Sequence, residues 1–369
     1  MSSLNGIIKS RIPFADEFLP PNLVCRDVEI IMIKKFLEPL TRNEPIISSL
    51  FVTGNVGVGK TALTKFVLLN IPSKINYAYM QLKEGSTTFH IMSQIAKSFL
   101  PEIAISRRST GDLMTRFLEQ MKGRPALAIL DEVDKVPIKT LSPILHAFSR
   151  ETWVSFILLS RLPNALDHLP TDTKSSLKCK NLVLGSYKKD QLLEIIRQRV
   201  NLALQPNKID DEAINKIADY ASCFGSARLA INIIREASEE AEMGGAEKVS
   251  VNHVEGATAL IEEDTIKTTI SDLPQTHKLA LQTIAQIARV QPATFGRTLK
   301  QWQNHLSESK LPQFTRWKFY DVISDLKKLG FVETAKLGKG RGRGFQTVLH
   351  ITEQVKELFA QPTARELKM

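Results

Sequence analysis

The residues best suited to chemistry fall in two short segments. The first is GNVGVGKT, residues 54–61, a complete G-x-x-x-x-G-K-[ST] pattern. Gly54, Gly57 and Gly59 let the backbone curl closely, so that N–H groups along Asn55, Val56 and Val58 can face a polyphosphate. A helix beginning here adds the positive end of its dipole. Lys60 is placed to reach the β- and γ-phosphates, and the Thr61 hydroxyl to help hold Mg2+. The second segment is ALAILDEVD, residues 126–134, an apolar run that ends in acids. Asp131 suits a metal or its water, and Glu132 suits orienting or deprotonating an attacking water. Asp134 reads as a surface or helix-capping residue. The chemistry implied is binding of ATP or ADP with Mg2+, with Lys60 and Glu132 as the candidate catalytic groups. A further polar position near the γ-phosphate is expected at the end of a neighbouring strand. Ser160 or Arg161 fits there, and an ordinary turn residue fits equally well.

Such a site needs strands that deliver both segments to one edge of a sheet. Apolar runs at 48–53, 75–82, 126–130, 154–159 and 182–184 read as strands. Between them, helical periodicity appears at 61–69, 88–99, 112–121 and 141–148, after a first helix at 27–40. This alternation predicts an α/β domain, a parallel sheet covered on both faces, over residues 1–185. Four helical patterns at 189–201, 211–223, 227–241 and 252–261 predict a helical domain over 186–264. From 265 to 369 the pattern is three helices (277–288, 295–305, 316–329), then strands at 331–335 and 346–351 around KLGKGRGRG. Helices followed by a strand pair with a basic glycine-rich turn predict a winged helix.

Charge divides the same way. Residues 265–369 carry 17 basic and 8 acidic side chains, and residues 1–264 carry 32 and 31. Residues 188–264 hold 9 basic against 15 acidic. A basic module beside a neutral core is the footprint of nucleic-acid binding, with an anionic membrane surface as the competing partner. Arg316 and Lys318 start the expected recognition helix. Lys336, Lys339, Arg341 and Arg343 sit in the expected wing, where glycine spacing keeps a loop slender enough for a minor groove or phosphate ridge. Trp317, Phe319 and Tyr320 read as core.

Other classes are disfavoured. A content of 43% hydrophobic and 24% charged residues is that of a globular protein, and apolar runs such as 126–130 are far shorter than a membrane span. The start shows no secretory pattern. Cys25, Cys179 and Cys223 are odd in number and without a CxxC, which disfavours a disulfide framework or structural zinc. A cytoplasmic, nucleoid-associated location is expected.

Taken together, these segments resemble an AAA+ ATPase, and over nearly the whole chain they resemble the archaeal origin-recognition initiator family. The resemblance is carried by FLPPNLVCRDVEI (18–30), the phosphate loop and the DEVD strand. It continues through TKSSL (173–177), SYKKDQLLEIIRQR (186–199), FGSARLAINIIREA (224–237) and the winged-helix end. It implies an arginine beside the adenine pocket at Arg26, lid contacts to nucleotide at Tyr187 and Arg199, and a phosphate-sensing arginine at Arg228. It also implies a second DNA-touching element before the DEVD strand, where Arg107, Arg108 and Arg116 could equally be solvated. The implied function is a replication initiator that binds duplex origin DNA, with nucleotide as a slow switch for recruiting replication machinery. Other initiator paralogues and a replicative helicase are candidate partners. A transcriptional regulator on the same architecture, and more distantly a protein remodeller, remain as alternatives. Two departures matter: Arg161 stands where the family has Asn, and Asp172 stands where it has an arginine finger. A finger is worth about 10³–10⁵ in turnover, so weak hydrolysis is expected.

Overall fold

The computed structural model describes residues 6–72, 74–105, 108–151, 153–309, 311–338, 345–352 and 355–356. The chain divides into two compact units, Met1–Ala257 and Thr258–Met369.

In the first unit, α1 (Asp27–Thr41) precedes β1 (Leu50–Thr53), α2 (Lys60–Leu69) and β2 (Tyr77–Gln81). Then come α3 (Thr88–Phe99), α4 (Thr110–Met121), β3 (Ala126–Asp131), α5 (Ile138–Ser149), β4 (Val154–Ser160), α6 (Thr171–Leu177) and β5 (Lys180–Val183). The strands form one parallel sheet in the order β2-β3-β4-β1-β5. Because side chains alternate across a strand, β3 feeds two cores. Ala126, Ala128 and Leu130 pack with the helices α3, α4 and α5, whereas Leu127 and Ile129 pack with α1 and α2. On the first face Phe117, Phe148 and Phe156 stack with ring centroids 5.4 and 5.5 Å apart. Burial on both faces is why these strands are apolar throughout. It also holds the C-terminal ends of β1, β3 and β4 side by side.

Three helices follow, α7 (Lys189–Ala203), α8 (Asp211–Phe224) and α9 (Ala227–Met243), packed through Ile196, Ile217 and Ile233, all fully buried. The N-terminal segment is strapped onto them. Ile8 bridges to Leu204, and Arg11 pairs with Glu242 at 3.0 Å. The boundary between the units falls inside the long helix α10 (Val251–Asp272), which extends well past the stretch its periodicity suggested.

The second unit holds α11 (Gln275–Ala288), α12 (Phe295–Glu308), α13 (Arg316–Lys328) and the antiparallel pair β6 (Val332–Gly338) and β7 (Phe345–Ile351). Its core gathers Trp302, Phe319, Leu326 and Leu349. The Trp302 indole N–H is satisfied by the Thr276 carbonyl at 2.9 Å. The architecture is thus an AAA+ parallel-sheet domain with a helical lid and a winged helix.

Candidate functional site

The phosphate loop leaves β1 at Gly54 (φ 155°) and turns through left-handed backbone at Gly57 (φ 80°) and Gly59 (φ 90°). These glycines are required by space as well as by torsion. A Cβ at Gly54 would lie 2.7 Å from the Leu184 carbonyl, and one at Gly57 would lie 1.9 Å from Ser226 Oγ. Gly59 N-caps α2 without a capping side chain, so the first amides of that helix keep their donors for a ligand. Lys60 Nζ folds back to donate to the carbonyls of Gly54 (2.7 Å) and Asn55 (2.9 Å). Burial lowers its pKa from the ordinary value, opposed by Asp131 and Asp134 and reinforced by Arg161 and Arg228. Val58 is fully buried and packs in the core, whereas Val56 is exposed.

Asp131 is 2% exposed and accepts three hydrogen bonds. The Thr61 hydroxyl (2.6 Å) and the Tyr79 hydroxyl (2.7 Å) donate to Oδ2, and the Glu132 N–H (2.8 Å) donates to Oδ1. Burial, then the bond to Asp131, raises the Tyr79 phenol. Glu132 sits in left-handed backbone (φ 59°), a conformation that costs a side-chain-bearing residue roughly 1–3 kcal/mol. Its carboxylate pairs with Lys135 Nζ at 2.6 Å. The candidate base is therefore engaged by a cation three residues on.

Asp134 corrects an expectation: it is neither a surface residue nor a cap. Its side chain is fully buried and accepts from the Arg161 N–H (2.9 Å), Arg161 Nε (2.7 Å) and Ser160 Oγ (3.1 Å). Burial alone would raise its carboxyl, and the Arg161 and Ser160 bonds hold it below the ordinary value. Asp134, Tyr79 and Lys135 were missed because their roles depend on neighbours distant in sequence or on a local 3-10 turn.

Gly57, Gly59, Lys60, Thr61, Asp131, Glu132, Asp134 and Arg161 line one cleft together with residues 14–20, Tyr187, Arg199 and Arg228. The lid reaches the loop directly: the Ala227 N–H donates to the Gly57 carbonyl at 3.1 Å, and Ser226 Oγ caps α9 by accepting from Leu229 N–H at 3.2 Å. Arg228 pairs with Asp16 at 3.4 Å, both exposed. Arg199 is 6% exposed, donates to the Pro13 carbonyl at 2.7 Å and lies over the Phe18 ring. Its Nε has no hydrogen-bond partner among the described residues, and burial lowers its pKa to about 10. Arg26 is 4% exposed and stands behind the cleft wall. It donates to the Tyr187 hydroxyl (3.0 Å) and to the carbonyls of Val58 (3.0 Å) and Gly185 (2.9 Å), and pairs with Glu29 at 2.7 Å. Arg26 joins loop, hinge and lid. The open donors of the loop, the glycine cradle and the orphaned Arg199 Nε fit a nucleoside polyphosphate, and Thr61 with Asp131 fits its Mg2+. Among the described residues no cluster of three or more metal-ligating side chains occurs.

In the second unit Thr315 caps α13, accepting from Lys318 N–H at 3.4 Å. Arg316, Trp317 and Lys318 on its first turn are all exposed, Trp317 to 79%. Of the three aromatics read as core, only Phe319 is buried; Tyr320 is 43% exposed and stacks on Phe295 at 4.2 Å. The expectation failed because a helix carries successive residues to different faces. Lys336, placed in the wing loop by sequence, lies within β6 opposite Thr347 and faces solvent. Lys339, Arg341, Arg343 and Arg107 lie outside the described residues. Arg108 donates to the Ala104 carbonyl at 2.7 Å and shares a shallow depression with Arg116 and Arg124. No helix among the described residues is long and apolar enough to cross a membrane.

Family comparisons agree with this geometry. Residues 48–164 match an AAA domain, 193–259 the Cdc6 AAA+ ATPase-type lid domain, and 268–359 the CDC6 C-terminal winged helix domain. The chain is 30% identical over 369 residues to an ORC1-type DNA replication protein of Pyrococcus furiosus, covering 94% of this chain and 88% of the relative. It is 28% identical to ORC1-type DNA replication protein 1 of Sulfurisphaera tokodaii, covering 95% and 92%. In structure it is similar to the Aeropyrum pernix ORC1 protein in complex with DNA, with TM-score 0.76, 25% identity and coverage of 98% and 99%. The fold is shared with Cdc6p from Pyrobaculum aerophilum at TM-score 0.62 and 19% identity, covering 96% and 97%. The chain therefore belongs to the ORC1/Cdc6-type family of DNA replication proteins, AAA+ ATPases that carry a C-terminal winged helix.

Proposed function

We propose that this chain is a replication initiator that binds ATP or ADP with Mg2+ in the cleft of its first unit and duplex origin DNA through its winged helix. The observation that carries the nucleotide reading is the Thr61–Asp131 hydrogen bond at 2.6 Å, which brings the phosphate-loop hydroxyl onto the acidic strand. The bound nucleotide with its metal supplies a polarised terminal phosphate. The chain's own part is mainly positioning and charge. The loop amides and the start of α2 bind phosphate oxygens, and Lys60 moves from its two carbonyl partners to them. Asp131 and Thr61 hold the metal. Glu132, released from Lys135, orients a water and holds its proton. Arg228 exchanges Asp16 for phosphate, which couples lid position to nucleotide state. Tyr187 and Arg199 hold the nucleotide from the lid side.

Turnover is slow. The position aligned with the finger holds Asp172, an exposed carboxylate 3.8 Å from Arg150 and 3.5 Å from His146. Rapid multiple-turnover hydrolysis by the purified chain would refute the switch.

DNA contact is assigned to Arg316 and Lys318 on α13, to Lys336, and to the wing cations Lys339, Arg341 and Arg343, with Arg107 and Arg108 as a second surface. Support comes from the exposed basic turn of α13 and from the DNA-bound relative in Aeropyrum pernix. The changes Arg341→Ala and Arg343→Ala together should weaken duplex binding and flatten its dependence on salt. An unchanged slope of log affinity against log salt would remove the wing from the interface. For the nucleotide site, Lys60→Ala should abolish saturable ATP binding by calorimetry; retained affinity would refute the assignment. Recruitment of other initiator copies and a helicase, from a cytoplasmic nucleoid-associated location, completes the proposal.

A further inference from the structure

Beyond the two motifs, the edge strand β2 supplies a polar group to the acidic strand. β2 lies beside β3 in the sheet, with Tyr79 opposite Ile129 and Gln81 opposite Asp131. The Tyr79 ring is partly buried against the apolar face shared with α1 and α2, and Lys65 Nζ of α2 stands 4.7 Å from its centroid. Lys65 lines the cleft, whereas Tyr79 does not. Held in this way, the ring carries its hydroxyl to Asp131 Oδ2, donating at 2.7 Å. The Thr61 hydroxyl donates to the same oxygen at 2.6 Å, and the Glu132 N–H takes Oδ1 at 2.8 Å. A carboxylate offers about four acceptor sites on its pair of oxygens. Both sites on Oδ2 are therefore filled, and Oδ1 keeps one open. Thr61, having given its proton to Oδ2, still has oxygen lone pairs for a cation.

We propose that the Tyr79 hydroxyl sets the cation preference of the nucleotide site, favouring Mg2+ over Ca2+ by keeping Asp131 Oδ2 from binding a cation directly. The proposal rests on the nucleotide site described above and deepens it. Mg2+ gives up its waters reluctantly and is commonly held through them, whereas Ca2+ readily takes one or both oxygens of a carboxylate into a looser shell. With Oδ2 filled by two hydroxyls, Asp131 offers a cation only the open site on Oδ1, which can accept from a water of the cation's hydration shell. That suits hydrated Mg2+ and denies Ca2+ a two-oxygen grip. The same bonds fix the carboxylate's orientation. Oδ2 is pinned from β2 by Tyr79 and from α2 by Thr61, so it cannot swing toward a cation without breaking one of them. Thr61 cannot do this alone, because its oxygen is itself a candidate ligand. Tyr79 comes from a separate strand and acts through Asp131, as a positioning residue. Such outer partners commonly govern metal affinity as strongly as they govern geometry.

The test is ATP affinity of the full chain by calorimetry, with Mg2+, with Ca2+ and with EDTA, for wild type, Tyr79→Phe and Tyr79→Leu. Thermal unfolding of each variant shows whether it is folded. Tyr79→Phe keeps the ring, its packing and the Lys65 contact, and removes one donor. The ratio of affinity in Mg2+ to affinity in Ca2+ should fall by about tenfold in Tyr79→Phe, the worth of a hydrogen bond to a charged group. Affinity in EDTA should stay at the wild-type level. Tyr79→Leu should lower the ratio to the same extent, because both variants lack the hydroxyl. A purely structural role would weaken binding equally with either cation, so a ratio that is unchanged or raised in Tyr79→Phe overturns the proposal. A ratio that falls only in Tyr79→Leu credits the ring and overturns it as well. If Tyr79→Leu does not fold, Tyr79→Phe decides alone. A wild-type chain whose ATP affinity is the same in all three conditions overturns the proposal and leaves the phosphate loop standing. One that binds no ATP in any condition overturns the nucleotide site itself, and this proposal with it.

Discussion

Gly57→Ala tests how tightly the lid is built onto the phosphate loop. Gly57 adopts φ 80°, and a residue with a Cβ pays roughly 1–2 kcal/mol for left-handed backbone. The new Cβ would lie 1.9 Å from Ser226 Oγ and 3.0 Å from Ser226 Cβ. Ser226 is a short side chain committed to capping α9, so it can yield only by giving up its bond from Leu229 N–H. Loss of such a cap costs about 1 kcal/mol. The displaced helix start also strains the Ala227 N–H bond to the Gly57 carbonyl, worth about 1 kcal/mol more. The total is about 3–4 kcal/mol against the lid-closed state, by these same increments. Ser226→Gly alone should cost a few tenths of a kcal/mol, because glycine is an acceptable cap. In the double variant the clash with Ser226 is gone, and the torsional cost of about 1–2 kcal/mol remains with a 3.3 Å approach to Arg228 Cβ. Chemical denaturation of the four proteins closes the cycle, with nucleotide affinity as a second readout. Strong non-additivity, with the double variant more stable than Gly57→Ala, is expected. Simple additivity would show that Ser226 does not rest against the loop.

Arg26→Ala strips the buried guanidinium from the Tyr187 hydroxyl and from the Val58 and Gly185 carbonyls, leaving Glu29 without its partner. It should destabilise the first unit by about 3–5 kcal/mol in denaturant titrations, and a loss below about 1 kcal/mol would remove Arg26 as the joint between loop and lid. Because Asp134 is held below the ordinary carboxylate range, its contribution should be complete above the unfolded value and lost as pH falls through the folded one. The stability gap between wild type and Asp134→Asn should then be flat near neutrality and close below about pH 4, whereas a gap that widens on acidification would contradict the sign. On α13, Arg316→Ala should reduce the salt slope of duplex binding by about one, while Trp317→Ala should weaken binding with the slope unchanged. Equal slopes for wild type and Arg316→Ala would take Arg316 off the phosphates.

The phosphate loop and the acidic strand were legible because each is a local pattern: glycines at fixed offsets, and an apolar run ending in carboxylates. Helix and strand positions followed from periodicity for the same reason, with most ends differing by a few residues. What the sequence could not show were pairings across the fold. Asp134 looks like one more acid in a solvated turn until β4 brings Ser160 and Arg161 beside it. The bonds from Arg26 to Tyr187, Val58 and Gly185 likewise join segments far apart in sequence. Tyr79 is one aromatic in a strand, and only the pairing of β2 with β3 sets its hydroxyl on Asp131. Trp317 was misplaced because the core of the second unit needs Phe319 from that turn and leaves its neighbours outside.

The central claim is that one chain joins a nucleotide-switched AAA+ core to a duplex-binding winged helix for replication initiation. Footprinting on fragments spanning the chromosome, with ATP, with ADP and without nucleotide, tests it most directly. Protection should fall on discrete duplex sites where replication begins, should weaken with salt, and should change in extent between ATP and ADP. Protection confined to promoters, or identical in all three nucleotide conditions, would contradict it.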